Sequence, residues 1–303
     1  MPEVRTLGTG TERPRTLVVG CGGAGCNTLR ALPESEGLDR LALNDLPHLS
    51  MAGVRRRLFV QKAGLREIAA LDLRTVRSLA TTAEQSVAME LGDADVVVPL
   101  AGLGGDFGSW AVSLVARVAA LKGAAVLAVA NTPFSAEGTG RRQVGMEALT
   151  FLRRHAHGVV VMANDALLRI APHLPFLQAF DVMSRLAVQP IADLLRVLTT
   201  DDLLRFASVL RRAEDWRIGI GEGTGDHPGL AAADAAFRSP WIIRRPEDAR
   251  EVIVLIAQPE ADEHALREIL RDVDLRTPRA SVMWGAFTEP TVTGVRVTVL
   301  LGC

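Results

Sequence analysis

The stretch TLVVGCGGAG at residues 16–25 narrows the fold more than any other feature of this chain. It starts as an apolar, mostly β-branched run, breaks at Gly20, Gly22, Gly23 and Gly25, and passes into AGCNTLRAL, which reads as a helix. A buried strand that turns directly into a helix is half of a βαβ unit, because a parallel neighbour is reached only through such a crossover. The same alternation recurs downstream: LALN, a helix through AEQSVAMEL, the strand ADVVVPLAG, a helix through VSLVARVAA and the strand AAVLAVAN. The pattern predicts an α/β fold with a doubly wound parallel sheet.

From residue 140 the chain continues with GRRQVGMEALTFLRRHA as an amphipathic helix and the strand GVVVMAND. FLQAFDVMSRLAVQPIADLLRVL then keeps apolar positions at helical spacing over residues 176–198 and reads as a long central helix between two domains. The last third has a helix near DDLLRFASVLRR, the strand WRIGIG, a glycine-rich link, the strand EVIVLIA, a helix at DEHALREILRDV, and the strands ASVMWGAF and GVRVTVLLG. It predicts a smaller α+β C-terminal domain. The expected divisions are a flexible N-terminus at 1–13, the parallel-sheet domain at 14–175, the central helix at 176–198 and the C-terminal domain at 199–303.

A chain that is 48% hydrophobic with a formal charge of −1 is globular and near neutral, so no nucleic-acid partner is expected. The basic residues are nearly all arginine, with Lys62 and Lys122 the only lysines, which reads as base-composition bias. Cys21, Cys26 and Cys303 stand in no paired or metal-ligand spacing, which fits a reducing cytoplasm. The opening MPEVRTLGTGTER has no apolar core, and no apolar run approaches the roughly 18 residues of a membrane span. A cytoplasmic protein is expected, with no direct membrane binding.

Residues 20–25 satisfy G-x-G-x-x-G after a strand and before a helix, an arrangement in which backbone amides and a helix N-terminus meet phosphate. Taken alone it fits a nicotinamide-dependent oxidoreductase, or a tight turn that binds nothing. A second glycine turn, Ala101-Gly102-Leu103-Gly104-Gly105-Asp106-Phe107-Gly108-Ser109, again follows a strand and opens a helix. A dehydrogenase does not need it, whereas two such loops at neighbouring strand ends would place two helix N-termini around one phosphate chain. The six histidines form no recognisable acid–base set for an oxidoreductase.

GCGGAGCNT, the short AGLGG loop, NTPFSAEGTGRR, MANDALL, SPW, ASVMWGAF and GVRVTVLLG resemble, in order and spacing from residue 15 to 303, the FtsZ proteins of the FtsZ/tubulin superfamily. The resemblance implies the tubulin/FtsZ fold, a GTPase-like N-terminal domain, GTP or GDP as ligand with Mg2+ as a candidate companion, and head-to-tail self-association into filaments. It assigns Gly20, Gly22, Gly23, Gly25 and Asn27 to the first phosphate loop, with Asn27 reaching the base, and Gly104, Gly105, Gly108 and Ser109 to the second. Asn44 matches the asparagine after the second strand. Glu137 matches the residue that binds the ribose, Arg141 the arginine that approaches the phosphates, and Asn164 the asparagine that reads guanine. Phe176 matches the aromatic that stacks on the base, and Asp181 the carboxylate that takes hydrogen bonds from its edge.

The chain also departs from the family. Where the family's signature loop is a run of glycine and threonine, this sequence has Asp106, Phe107 and Trp110, which sets a carboxylate where phosphate charge is to be welcomed. The loop expected to sense the γ-phosphate reads KAGLREIAALDLRTV and lacks the family's Ala-Gly-Gly character. The family's hydrolytic loop, N-x-D-x-x-D, acts on the nucleotide of a neighbouring subunit, and here Thr200, Asp202 and Arg205 stand at those positions. Asp202 is the one expected catalytic carboxylate, and hydrolysis is expected to be weak or lost. The sequence closes at Cys303 directly after the last strand, without the linker and docking peptide that the family carries there. The altered loops leave open a second reading, a nucleotide-free pseudo-subunit that regulates an FtsZ-type filament.

Overall fold

The computed structural model describes residues 4–8, 10–35, 37–47, 49–73 and 76–303, with the side chains of Val4, Leu49 and Phe176 left aside. The N-terminal half contains β2 (Thr16–Cys21), α1 (Gly22–Ala31), β3 (Leu38–Asn44), β4 (Arg56–Phe59), α2 (Leu65–Ala70), α3 (Thr82–Leu91), β5 (Val96–Gly102), α4 (Gly108–Leu121), β6 (Ala125–Thr132), α5 (Thr139–His155), β7 (Gly158–Ala163) and α6 (Asn164–Leu168). α7 (Phe176–Val197) follows, then α8 (Leu203–Leu210), β8 (Trp216–Gly223), α9 (Pro228–Phe237), β9 (Glu251–Gln258), α10 (Glu263–Arg276), β10 (Ser281–Thr288) and β11 (Val295–Gly302). A further strand, β1 (Val4–Thr6), precedes them all.

Among the described residues these strands form one eleven-stranded sheet in the order β1-β10-β9-β11-β8-β7-β6-β5-β2-β3-β4. From β4 to β7 all pairings are parallel, as the βαβ pattern requires. β2, β5 and β6 are buried almost throughout, which is why they read as continuous apolar runs rather than alternating ones. The two halves of the sheet join at one parallel register position, Val160 with Trp216, and β11 runs antiparallel between β8 and β9.

Two features differ from the sequence expectation. Residues 1–13 contain β1, which pairs in parallel with β10 at the far edge of the sheet, so part of the expected flexible terminus is a strand. The glycine-rich link contains α9, whose Ala232, Ala233 and Ala236 are fully buried. A Cβ on Gly219 or Gly221 of β8 would lie 2.0 or 2.1 Å from the carbonyl oxygens of Ala236 and Ala232, so the helix backbone rests directly on the strand. Glycines that look like breakers are here the condition for close packing.

α7 carries Pro190 in its interior and presents Ala179, Met183, Ala187, Ile191 and Leu194 to one buried cluster. That cluster takes in Val18 and Val98 from the N-terminal half and Ile253 and Leu300 from the C-terminal half, so the central helix is shared core. Beneath α3 and α4 lies a fully buried ion pair, Arg117 Nε to Glu84 Oε1 at 2.9 Å. Arg117 also donates to the carbonyls of Val76 and Ser78, and Glu84 accepts from the amides of Ala80 and Thr81. Burial pushes the Glu84 carboxyl up, and the hydrogen bonds from Arg117 and Thr81 more than offset it, leaving the group below its ordinary range. Among the described residues no helix is long and apolar enough to cross a membrane.

Candidate functional site

β2 and β5 are parallel neighbours, so their C-terminal ends open side by side and the two glycine turns meet. A Cβ on Gly22 would lie 2.9 Å from Gly108 Cα, and one on Gly108 would lie 2.9 Å from Cys21 O, so the first residues of α1 and α4 are in backbone contact. Gly22 has φ +70°, a conformation that a side chain would strain. Neither Cys21 nor Phe107 caps its helix with a side chain, and neither helix has an acidic residue in its first turn. Two sets of first-turn N–H groups therefore converge on one region with their positive dipole ends together, which is the chemistry of an anion site. Gly25 packs against β5 and Gly20 against Cys26. Gly23 is half-buried, and a Cβ on Gly105 would meet nothing within 4 Å.

The bulky residues of the second loop do not fill this region. Phe107 and Trp110 are 7% and 8% exposed and turn into the core beneath α4, Trp110 lying 6.1 Å from Phe151 between ring centroids. Ser109 is fully buried, and its hydroxyl accepts the Gly104 N–H at 2.9 Å, so it holds the loop rather than facing a ligand. Gly104 has φ +96° and sits against the backbone of Arg141, which ties the second loop to α5. Asp106 does face outward, but Lys62 Nζ lies 2.7 Å from its Oδ2. The hydrogen bond and charge of Lys62 hold the Asp106 carboxyl below its usual range.

Asn44 ends β3, and Asn164, the first residue of α6, directly follows β7 at the same C-terminal edge; both are buried. Asn44 Oδ1 accepts from the Asp45 amide, whereas Asn164 Oδ1 is buried with no hydrogen-bond partner among the described residues. A buried amide oxygen left unpaired is costly, and a ligand N–H would satisfy it. Glu137 Oε1 accepts the Phe134 N–H at 2.8 Å, and its Oε2 pairs with Arg141 Nη1 at 2.8 Å, while the Arg141 side chain stays 59% exposed. Asn27 and Asp181 are exposed, on α1 and α7. Those helices are joined by Thr28 Oγ1 and Ser184 Oγ at 3.3 Å. The side chain of Phe176 lies outside the described residues, so its expected stacking role has no geometry here.

Thr200, Asp202 and Arg205 lie at the opposite edge of the sheet. The Thr200 N–H donates to Glu12 O, just before β2 begins, whereas the glycine turns leave from the other ends of β2 and β5; α7, which leads into the Thr200 loop, is about 33 Å long. Arg205 is exposed, but Asp202, expected to be offered to a neighbouring subunit, is 1% exposed. Its Oδ2 accepts from the Thr199 amide, the Thr199 hydroxyl and the Gly8 amide at 3.1, 2.7 and 3.0 Å. The carboxylate is turned inward because it caps the turn and ties the N-terminal segment to it. Asp202→Ala is therefore expected to lower the unfolding free energy by about 2 kcal/mol in urea titrations, through the donors it strands. An unchanged urea midpoint would contradict this capping role.

Sequence reasoning passed over Lys62. Its only signal was rarity, since the chain holds two lysines against many arginines, and nothing in its local pattern points to Asp106.

Comparisons with known proteins give the family. Residues 15–172 match the model of the Tubulin/FtsZ family, GTPase domain. The cell division protein FtsZ 1 of Archaeoglobus fulgidus is 31% identical, covering 94% of this chain and 83% of the relative, and that of Pyrococcus horikoshii is 30% identical, covering 95% and 81%. Among solved structures, the empty FtsZ dimer of M. jannaschii superposes with a TM-score of 0.82 at 26% identity, covering 96% of this chain and 88% of that one. CetZ2 from Haloferax volcanii, solved as a GTPgS-bound protofilament, superposes with a TM-score of 0.72 at 18% identity over 95% and 92%, a likeness of fold. The chain has the tubulin/FtsZ α/β fold and belongs to the Tubulin/FtsZ family.

Proposed function

We propose that this FtsZ-like protein binds guanine nucleotide across its two glycine loops, associates head to tail through its two opposite edges, and hydrolyses GTP slowly or not at all. The observation that carries the reading is the backbone contact of Gly22 with Gly108, which brings two uncapped helix N-termini to one place. The unpaired Asn164 Oδ1 supplies an acceptor for a base N–H, and Asp181 on α7 is exposed and suited to the N1–H and amino donors that guanine has and adenine lacks together. Among the described residues no three of His, Cys, Asp or Glu gather to hold a metal, so Mg2+ would arrive on the phosphates, held mostly by them and by water. The glycine loops and the Thr200–Arg205 loop stand at opposite edges, so one copy's loop reaches another copy's nucleotide only in a head-to-tail stack, which leaves open ends and grows filaments.

Weak hydrolysis follows from what that loop offers. Asp202 is committed to capping, and Arg205, permanently cationic, occupies a position where a base is needed. Denaturing the purified protein and separating the released small molecules is expected to yield near-stoichiometric guanine nucleotide. A protein that carries none and takes up none would instead be the nucleotide-free pseudo-subunit. Steady-state GTP turnover is expected to be barely above background and to rise in the double variant Thr200→Asn/Arg205→Asp. A fast wild-type rate would overturn the weak-hydrolysis reading, and an unresponsive double variant would place the limit in the phosphate loops.

A further inference from the structure

Two loops that the sequence reading set apart from the family pattern meet in space. Lys62, in the loop after β4, pairs with Asp106 in the loop after β5. One helical turn on, Arg66 of α2 lies 5.7 Å from the ring centroid of Trp110 and hydrogen-bonds Glu147 of α5 at 2.6 and 3.0 Å. β4 and β5 are separated in the sheet by β3 and β2, about 14 Å in all, so the Lys62–Asp106 pair links loops that leave non-adjacent strands at the same end of the sheet. Each non-glycine replacement in the second loop thus has a fixed place: Phe107 in the core, Trp110 under Arg66, and Asp106 against Lys62.

The charges at this end decide what can bind. An unpaired Asp106 beside the converging N-termini would repel phosphate, and its nearest cation is Lys62, with Arg141 adding a weaker attraction. An ammonium has three N–H donors, and one suffices for Asp106. Lys62 is half-exposed, on a flexible four-carbon stem beside Asp106 and the second glycine loop. The Arg66 contacts hold the start of α2 in place, and the ammonium of Lys62 has donors beyond the one that Asp106 takes.

Building on the guanine-nucleotide reading above, we propose that Lys62 makes the phosphate end of the site usable. It neutralises Asp106 and offers its remaining N–H groups to the terminal phosphate of a nucleoside triphosphate. Lys62 is then the residue through which this chain prefers triphosphate to diphosphate, in place of the family's glycine-rich sensing loop.

The test is a double-substitution cycle. Equilibrium affinities for fluorescent GDP and a fluorescent non-hydrolysable GTP analogue are measured for the wild type, Lys62→Ala, Asp106→Ala, the double variant and Lys62→Arg. Thermal melts accompany each to confirm folding, which these exposed positions are expected to leave intact. Lys62→Ala is expected to weaken the GTP analogue about tenfold and GDP about threefold or less, with the difference shrinking as salt screens it. Removing Asp106 as well should restore most of the loss, Asp106→Ala alone should bind at least as tightly as wild type, and Lys62→Arg should keep most of the preference. A wild type that binds neither nucleotide overturns both the nucleotide reading and this one. A wild type that binds, with a Lys62→Ala variant unchanged or weakened equally for both nucleotides, overturns this inference alone.

Discussion

Arg117→Met is expected to lower the unfolding free energy by about 3–5 kcal/mol, seen as a large drop in urea midpoint, because it leaves the Glu84 carboxylate buried without its cation. The loss extends beyond the pair. Arg117 also satisfies the carbonyls of Val76 and Ser78, so the segment before α3 loses its anchor to α4. Glu84→Met added to Arg117→Met removes the stranded charge and should recover part of the loss. It cannot recover all of it, since Ala80 and Thr81 then have no acceptor for their amides. The pH dependence has a definite sign: because the Glu84 carboxyl is held below its ordinary value in the folded chain, its contribution is present above the ordinary carboxylate range and is lost as pH falls through the lowered folded value. A double variant no more stable than the single one would mean that a stranded charge is not what the single substitution costs.

Gly25→Ala is the second large effect. The new methyl would lie 2.2 Å from Leu100 O, and neither side of that contact is a flexible side chain. α1 must back away from β5, which separates Gly22 from Gly108 and dissolves the paired N-termini. Overpacking of this kind costs about 1–3 kcal/mol of stability. If the same strain weighs on the bound geometry, nucleotide affinity falls by about one to two orders of magnitude. Nucleotide affinity in Gly25→Ala equal to that of the wild type, measured by fluorescence titration, would show that close approach of α1 to β5 is not what builds the site.

Much of the site's framework could be read in one dimension. The strands, the two glycine turns and the long helix announce themselves through local rules: continuous apolar runs for strands buried on both faces, glycines where the backbone must turn tightly, a 3.6-residue period where one helix face meets a core. α9 escaped because PGLAAADAAF is small and apolar nearly all round, with no polar face to set a period, and because its partner strand looks like a loop until the helix is laid on its glycines. β1 escaped because three residues show no pattern, and their pairing lies with β10, far along the chain.

The fate of individual side chains divides along the same line. Glycine spacing put Gly20–Gly25, Gly104 and Gly105, and the family resemblance put Asn164, just after strands of the parallel sheet, whose ends share an edge by topology alone. Whether a carboxylate on such a loop is free or spent depends on partners far away in sequence. Asp202 is taken up by Gly8, Asp106 by Lys62, and Ser109 by an amide inside its own loop. Hydrogen bonds and ion pairs act over a few ångströms whatever the number of residues between their ends, so sequence position shows which groups are available and only the folded chain shows which remain so.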